Sequence, residues 1–157
     1  MIYYRTAKFD LAFFHFNRAL KINSESSALL CYMSMVMKKL GNLQDSLKTL
    51  DLALKYNQLN FLAKYKKAEV LVSLKEYDAA LIVLNELKQI TPKEGLVYFL
   101  LGKISAISGD KEQALFYFSI AQDLDNKISA TVKNYIDNIS NPEVDENEED
   151  TTQNIDI

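Results

Sequence analysis

Turn-forming residues are scarce in this chain: its 157 residues include only four glycines and two prolines. That speaks against an all-β fold, which needs a turn at every hairpin. Cysteine is nearly absent, and a lone Cys31 cannot close an internal disulfide, so a reducing compartment is the expectation. The one histidine, His15, has no cysteine or carboxylate cluster around it; it reads as a solvent-facing side chain, not a metal ligand. Cys31 lies in an apolar helical stretch without a nearby histidine, which marks a structural cysteine and not a nucleophile. Gly41, Gly95, Gly102 and Gly109 are too scattered to build a phosphate-cradling loop. The longest uncharged run, Ser26 to Met37, is twelve residues, against the roughly 20 that a membrane-spanning helix needs. Arg5, Lys8 and Asp10 follow Met1–Tyr4 too closely for a signal-peptide core. No catalytic residue, metal or cofactor is expected, and no membrane partner.

What the chain has instead is a repeat. Ala12, Ser46, Ala80 and Ala114 recur at a constant step of 34 and are all small. Four positions on, Phe16, Leu50, Leu84 and Phe118 are all large and apolar, and Ala19, Ala53, Leu87 and Ala121 follow three later. Phe9, Leu43, Tyr77 and Lys111 precede them, apolar or aromatic in three of four. A second small series, Ser34, Ala68 and Gly102, keeps the same step. A period of 34 with this alternation is the mark of the tetratricopeptide repeat (TPR), a helix–turn–helix unit that stacks into a superhelix. Two helices whose axes approach to roughly 8–10 Å accept only small residues at their crossing, which accounts for the small series on both helices of each repeat. The expected fold is therefore all-α, a right-handed TPR solenoid of about three and a half repeats plus a capping helix.

The register sets the layout. Residues 1–126 form the array: a partial first repeat at 1–24, then full repeats at 27–58, 60–92 and 94–126. In the first, residues 1–5 read as the end of one helix and 8–22 as a second. Gly41 and Gly109 fall between paired helices, where a helix end often needs positive φ, and Pro92 is placed to open the helix that follows it. Residues 127–140 carry Ile128, Val132, Tyr135, Ile136 and Ile139 on one side and read as the cap. An array that begins with half a hairpin leaves Phe9, Phe13 and Phe16 partly uncovered, so the chain reads as the C-terminal piece of a longer repeat protein with Met1 internal to it. Residues 141–157 hold seven acids and no base, a charge of −7, whereas the stretch 1–140 sets eighteen Lys and Arg against fourteen Asp and Glu, +4. Such a segment reads as a disordered, solubilising tail, with an acidic docking motif as the other reading.

Several stretches go beyond what the repeat requires: Met1–Tyr4, FDLAFFHFNRALKIN at Phe9–Asn23, SALLC at Ser27–Cys31, ELKQITPKEGLVYFLLGK at Glu86–Lys103 and FSIAQDLD at Phe118–Asp125. Together they resemble the C-terminal TPR array of the Cdc27-type subunit, subunit three, of the anaphase-promoting complex. The resemblance runs over residues 1 to about 127; the cap and tail share only its character. It implies a non-catalytic scaffold of a nuclear and cytoplasmic ubiquitin ligase acting in cell division. Its implied partners are other subunits of that complex and the C-terminal Ile-Arg tails of coactivators. Homodimerisation in that family belongs to N-terminal repeats, so it is not expected of this chain. The alternative is a TPR regulatory or adaptor module of another enzyme complex.

The expected binding surface is the concave groove lined by the first helix of each repeat. Its inward positions read Cys31, Tyr32, Met35 and Lys38, then Tyr65, Lys66, Glu69 and Val72, then Phe99, Leu100, Lys103 and Ile107. From these, Tyr32, Met35, Tyr65, Glu69, Phe99 and Lys103 form the candidate peptide-binding set, because aromatic and Met side chains give broad contacts to a peptide. Glu69 is the acid placed to meet a terminal arginine. The competing reading is that several of them only pack neighbouring helices together. The Lys and Asn clamp that grips acidic chaperone tails is absent here, since one lysine, Lys66, occupies the set. Lys38, Lys39, Lys64, Lys66 and Lys67 cluster in the register, but lysines so interspersed with acids read as solvated faces and not as a nucleic-acid site.

Overall fold

The computed structural model describes residues 2–23 and 26–141, with the backbone alone at 2–7. Among these, eight α-helices follow one another: α1 Ile2–Ile22, α2 Ser27–Lys39, α3 Leu43–Tyr56, α4 Phe61–Ser73, α5 Tyr77–Ile90, α6 Gly95–Ile107, α7 Lys111–Leu124 and α8 Ser129–Ser140, the last entered through a 3-10 turn at Asn126–Ile128. The repeat step of 34 reappears in the helix starts, at 27, 61, 95 and 129 for one set and at 43, 77 and 111 for the other.

Local chemistry repeats at the same step. Ser26, Asn60 and Glu94 are the residues before α2, α4 and α6; the first two cap with their side chains, Ser26 accepting from the Leu29 amide at 3.3 Å and Asn60 from that of Ala63 at 3.1 Å. Asn60 also donates to Ser27 Oγ at 2.8 Å, tying the starts of α2 and α4 together. At the other end of these helices the chain makes one motif three times. The Gly41, Lys75 and Gly109 amides donate to Lys38, Val72 and Ala106, and the following amides, of Asn42, Glu76 and Asp110, reach back to Met37, Leu71 and Ser105. This is the Schellman ending, and its left-handed residue has φ of +84° at Gly41, +63° at Lys75 and +82° at Gly109.

The small series sits at the helix crossings. Ser46 Oγ donates to the Ser34 carbonyl at 2.8 Å, and Ser34 Oγ donates to that of Cys31 at 2.6 Å, so two fully buried hydroxyls are satisfied where α2 meets α3. Where α6 meets α7, a Cβ on Gly102 would lie 2.7 Å from the Phe118 ring. The larger core joins α4 to α8 around Leu84, Leu101 and Phe118; a smaller one, around Leu30, Leu50 and Val70, joins α2 to α4.

Two local expectations need correcting. Residues 1–5 and 8–22 are not two helices: α1 runs unbroken from Ile2 to Ile22. The position equivalent to Gly41, Lys75 and Gly109 is Ala7, a strong helix former with no leaning toward positive φ. Pro92 does not open a helix either; it lies in the turn before α6, where its carbonyl accepts from Tyr98 Oη at 2.9 Å. The stretch expected to cap the array is helical at Ser129–Ser140, with Ile128 and Val132 buried and Tyr135, Ile136 and Ile139 packed on the larger core. It occupies the place of a further first-type helix, one repeat step beyond α6. The acidic segment from Pro142 onward lies outside the described residues.

Candidate peptide-binding face

The helices α2, α4 and α6 adjoin along one side of the array, and the candidate residues lie there. Lys38 of α2 reaches Glu69 of α4 across the seam at 3.6 Å, and Lys66, one turn earlier in α4, reaches the same carboxylate at 3.1 Å. The Glu69 side chain keeps 22% of its surface. One carboxylate thus answers two ammoniums, and the trio carries a surplus positive charge. Beside it Tyr32 is 48% exposed and stacks on Phe16 of α1, ring centroids 6.3 Å apart, while Met35 is half-buried.

Tyr65 and Phe99 are placed differently from what a peptide groove requires. They keep only 4% and 5% of their surface. Tyr65 stacks on Phe61 one helical turn away. Burial pushes its hydroxyl well above the ordinary 10, reinforced by the charge of Glu69 and a hydrogen bond to it. Phe99 packs edge-on against Tyr135 of α8 at 5.5 Å and beside Phe118 at 5.9 Å. For these two residues the packing role dominates. Lys103 lies over both Phe99 and Tyr135, at 5.9 and 5.6 Å from the ring centroids. Tyr135 is therefore part of this face and was not among the residues expected there. The signal was present, since residues 127–140 continue the 34-residue step, but reading that stretch as a lid hid its inward side.

The remaining expected features resolve simply. His15 is exposed and meets the edge of Phe14 at 5.7 Å. Cys31 is fully buried, and burial raises its thiol to about 11, with Lys66 opposing and Glu69 adding to the shift. A thiol held protonated in this way is not a nucleophile at neutral pH. The clustered lysines are paired more than solvated: Lys67 bonds Asp51 of α3 at 2.7 Å, Lys64 reaches Glu86 of α5 at 3.4 Å, and Lys39 lies over the Phe9 ring. Among the described residues no helix is long and apolar enough to cross a membrane.

The opposite side of the array, formed by α1, α3, α5 and α7, shows a second pattern, away from the expected groove. Phe14, Ile82 and Phe116 share one register position, with Lys48 as its fourth member; Ile22, Tyr56, Ile90 and Leu124 share another, eight positions on. All seven apolar members are exposed, from 40% at Leu124 to 90% at Ile22. Spacing by eight puts both positions near one helix face, so the four helices present two parallel apolar rows.

Solved structures share this architecture. The chain superimposes on a TPR protein of Thermus thermophilus with a TM-score of 0.74 at 20% identity, covering 87% of this chain and 75% of that one. A Pseudomonas aeruginosa PilF structure gives 0.76 at 21%, covering 87% and 62%. Sequence comparison is more specific. Anaphase-promoting complex subunit 3 of Schizosaccharomyces pombe is 40% identical over 143 residues, 91% of this chain. The subunit 3 of Dictyostelium discoideum is 37% identical over 133 residues, 84% of the chain. This is a Cdc27-type sequence. The cell division cycle protein 27 homolog B of Arabidopsis thaliana, 33% identical over 79% of the chain, agrees. The chain spans 22%, 14% and 17% of these three relatives, so it corresponds to under a quarter of a Cdc27-type subunit. No family model matches it.

Proposed function

We propose that this array is a non-catalytic scaffold segment of the anaphase-promoting complex in nucleus and cytoplasm, holding neighbouring subunits through its outer face. The observation that carries the reading is the pair of apolar rows. Isolated exposed hydrophobics need no explanation, but seven in phase with the repeat are a recurrent feature that suits a protein contact. The names of the relatives supply the assembly. The test replaces Ile82 and Phe116 together by Asp in the chain reconstituted with the subunits of the complex. Helicity and melting should stay unchanged while co-sedimentation with the assembly falls. Undiminished incorporation refutes the reading.

A second role is favoured by Glu69, a carboxylate on the opposite face beside exposed Tyr32 and half-buried Met35: it offers a place for coactivator tails ending in Ile-Arg. The arginine would compete with Lys38 and Lys66 for Glu69, and the tail's own terminal carboxylate has those two lysines as partners. Because Glu69 is already shared, Glu69→Lys should weaken such a peptide by about 1.5 kcal/mol, the low end for charged hydrogen bonds. Anisotropy titration against a peptide ending in Ile-Glu provides the control, and equal binding of the two peptides removes the role.

A further inference from the structure

The turns that end α1 and α3 are joined side by side: Asn60, at the close of the second, donates to Ser27 Oγ, just past the first, at 2.8 Å. Leu20 and Leu54, near the ends of the two helices, pack on the same small core. Their neighbours in sequence are thereby brought to one outer corner, Lys21 and Ile22 from α1 with Lys55 and Tyr56 from α3, all exposed, and Leu59 in the turn beside them. One helical turn back stand Arg18 and Leu52, at equivalent register positions. The aliphatic members are open to water, Leu59 to 84% and Ile22 to 90%.

Charge at this corner is of one sign. Arg18, Lys21 and Lys55 bridge to no acid among the described residues, whereas Lys48, Lys64 and Lys67 bridge to Asp45, Glu86 and Asp51. Asp51 stands one turn before Lys55, but Lys67 engages it at 2.7 Å. The same columns on α5 and α7 carry Glu86, Gln89, Ile120 and Asp123, so the cations belong to this end of the stack and not to the repeat. The helix dipole does not account for them either. It favours a lysine in any last turn, yet the last turn of α7 has Asp123 and no base.

We propose that this corner docks an acidic segment of a neighbouring protein, with carboxylates facing Arg18, Lys21 and Lys55 and apolar side chains covering Ile22, Tyr56 and Leu59. The inference rests on the outer-face scaffold role and names the chemistry of one partner there. Cations at an exposed rim speed encounter and set its salt dependence, and contribute little once contact is made. Buried apolar surface holds the contact and slows its dissociation. A nucleic acid would answer the cations but not the aliphatic Ile22 and Leu59, since bases stack on aromatic faces. An anionic membrane fits less well: the outer apolar rows continue onto α5 and α7 among Glu86 and Asp123, which a negative surface repels.

Binding kinetics of the full chain with the reconstituted subunits of the complex test it. Arg18→Gln, Lys21→Gln and Lys55→Gln together should slow association about tenfold, remove most of its salt dependence and leave dissociation nearly unchanged. Ile22→Ser with Leu59→Ser should do the converse, speeding dissociation about tenfold at an unchanged association rate. Both variants should melt like the parent, because every side chain altered is exposed. Zero-length carbodiimide cross-linking of the parent assembly should join Lys21 and Lys55 to acids of another subunit. If the triple variant associates at the parent rate while Ile82→Asp with Phe116→Asp still blocks incorporation, this inference falls and the scaffold role stands; if neither variant alters incorporation, both fall. Carbodiimide links that bypass Lys21 and Lys55, or capture of the parent chain by phosphatidylserine vesicles that the triple variant abolishes, would also overturn it.

Discussion

Gly102 offers the sharpest check on how the helices are held together, because two well-measured effects oppose each other there. Replacing glycine by alanine inside a helix stabilises by about 1 kcal/mol through helix propensity. In α6, however, the added Cβ would stand 2.7 Å from both Cδ1 and Cε1 of Phe118, where ordinary carbon contacts are about 3.5–4.0 Å. The ring must give way by nearly the whole of that shortfall, and it is fully buried with Tyr135 at 5.5 Å and Phe99 at 5.9 Å. Overpacking of this kind costs about 1–3 kcal/mol. Gly102→Ala should therefore destabilise by up to about 2 kcal/mol net, and Gly102→Leu by more. The other repeats show how the conflict is resolved: where Leu50 and Leu84 take the place of Phe118, the crossing residues are Ser34 and Ala68. In a Phe118→Leu background Gly102→Ala should turn neutral or stabilising, a coupling of about 1–3 kcal/mol between the two positions. Urea unfolding reads this as a midpoint shift that changes sign with the background. If Gly102→Ala stabilises the native chain by the full propensity gain, or the two substitutions add without coupling, the close crossing is not what requires glycine.

Other expectations follow from single residues. Lys75 holds φ +63° where the equivalent positions are glycine, so Lys75→Gly should raise stability by about 0.5–1 kcal/mol in thermal melts; an unchanged or lower melting point would show that the turn carries no strain. Cys31 should resist iodoacetamide at pH 8 in the folded chain and react freely in urea, and native labelling at the unfolded rate would contradict its burial. Since its thiol is held up to about 11 against an ordinary 9, the stabilisation is complete below pH 9 and is lost as pH rises toward 11; Cys31→Ala should flatten that part of the stability profile. Lys111→Ala, at an exposed helix start, should alter stability by no more than about 0.5 kcal/mol.

The solenoid was legible because its determinants recur. Capping residues, crossing residues and large fillers keep one step of 34, and no chance pattern aligns all three. The misreadings share a different origin: they concern places where one unit departs from the others. Ala7 cancels a turn that register alone would place there, since alanine favours helix and has no leaning toward positive φ. Tyr65 and Phe99 share a column with Cys31, and all three point between helices more than into the groove, a tilt that periodicity does not encode. Tyr135 was hidden by reading its helix as a cover instead of as a further member of the series. The bridges of Lys67 to Asp51 and Lys64 to Glu86 join different helices, and spacing along one helix says nothing of them.

The same contrast separates structure from function in this array. A residue that every repeat shares answers a demand every repeat has, and the buried Leu50, Leu84 and Phe118 column needs no partner beyond the chain itself. The exposed column Phe14, Lys48, Ile82 and Phe116 also recurs, yet nothing among the described residues covers its apolar members. Replacing three such residues by lysine would cost little folding stability, because each is already more than half in water. Packing therefore does not explain why they are apolar. The inner face runs the other way, with Lys38 and Lys66 sharing the carboxylate of Glu69. The two faces of the stack thus differ in chemistry, exposed apolar side chains on the outer one and a shared carboxylate between two lysines on the inner one. Charge reversal on the inner face and polar substitution on the outer one should accordingly act independently, each altering one association and leaving the other intact.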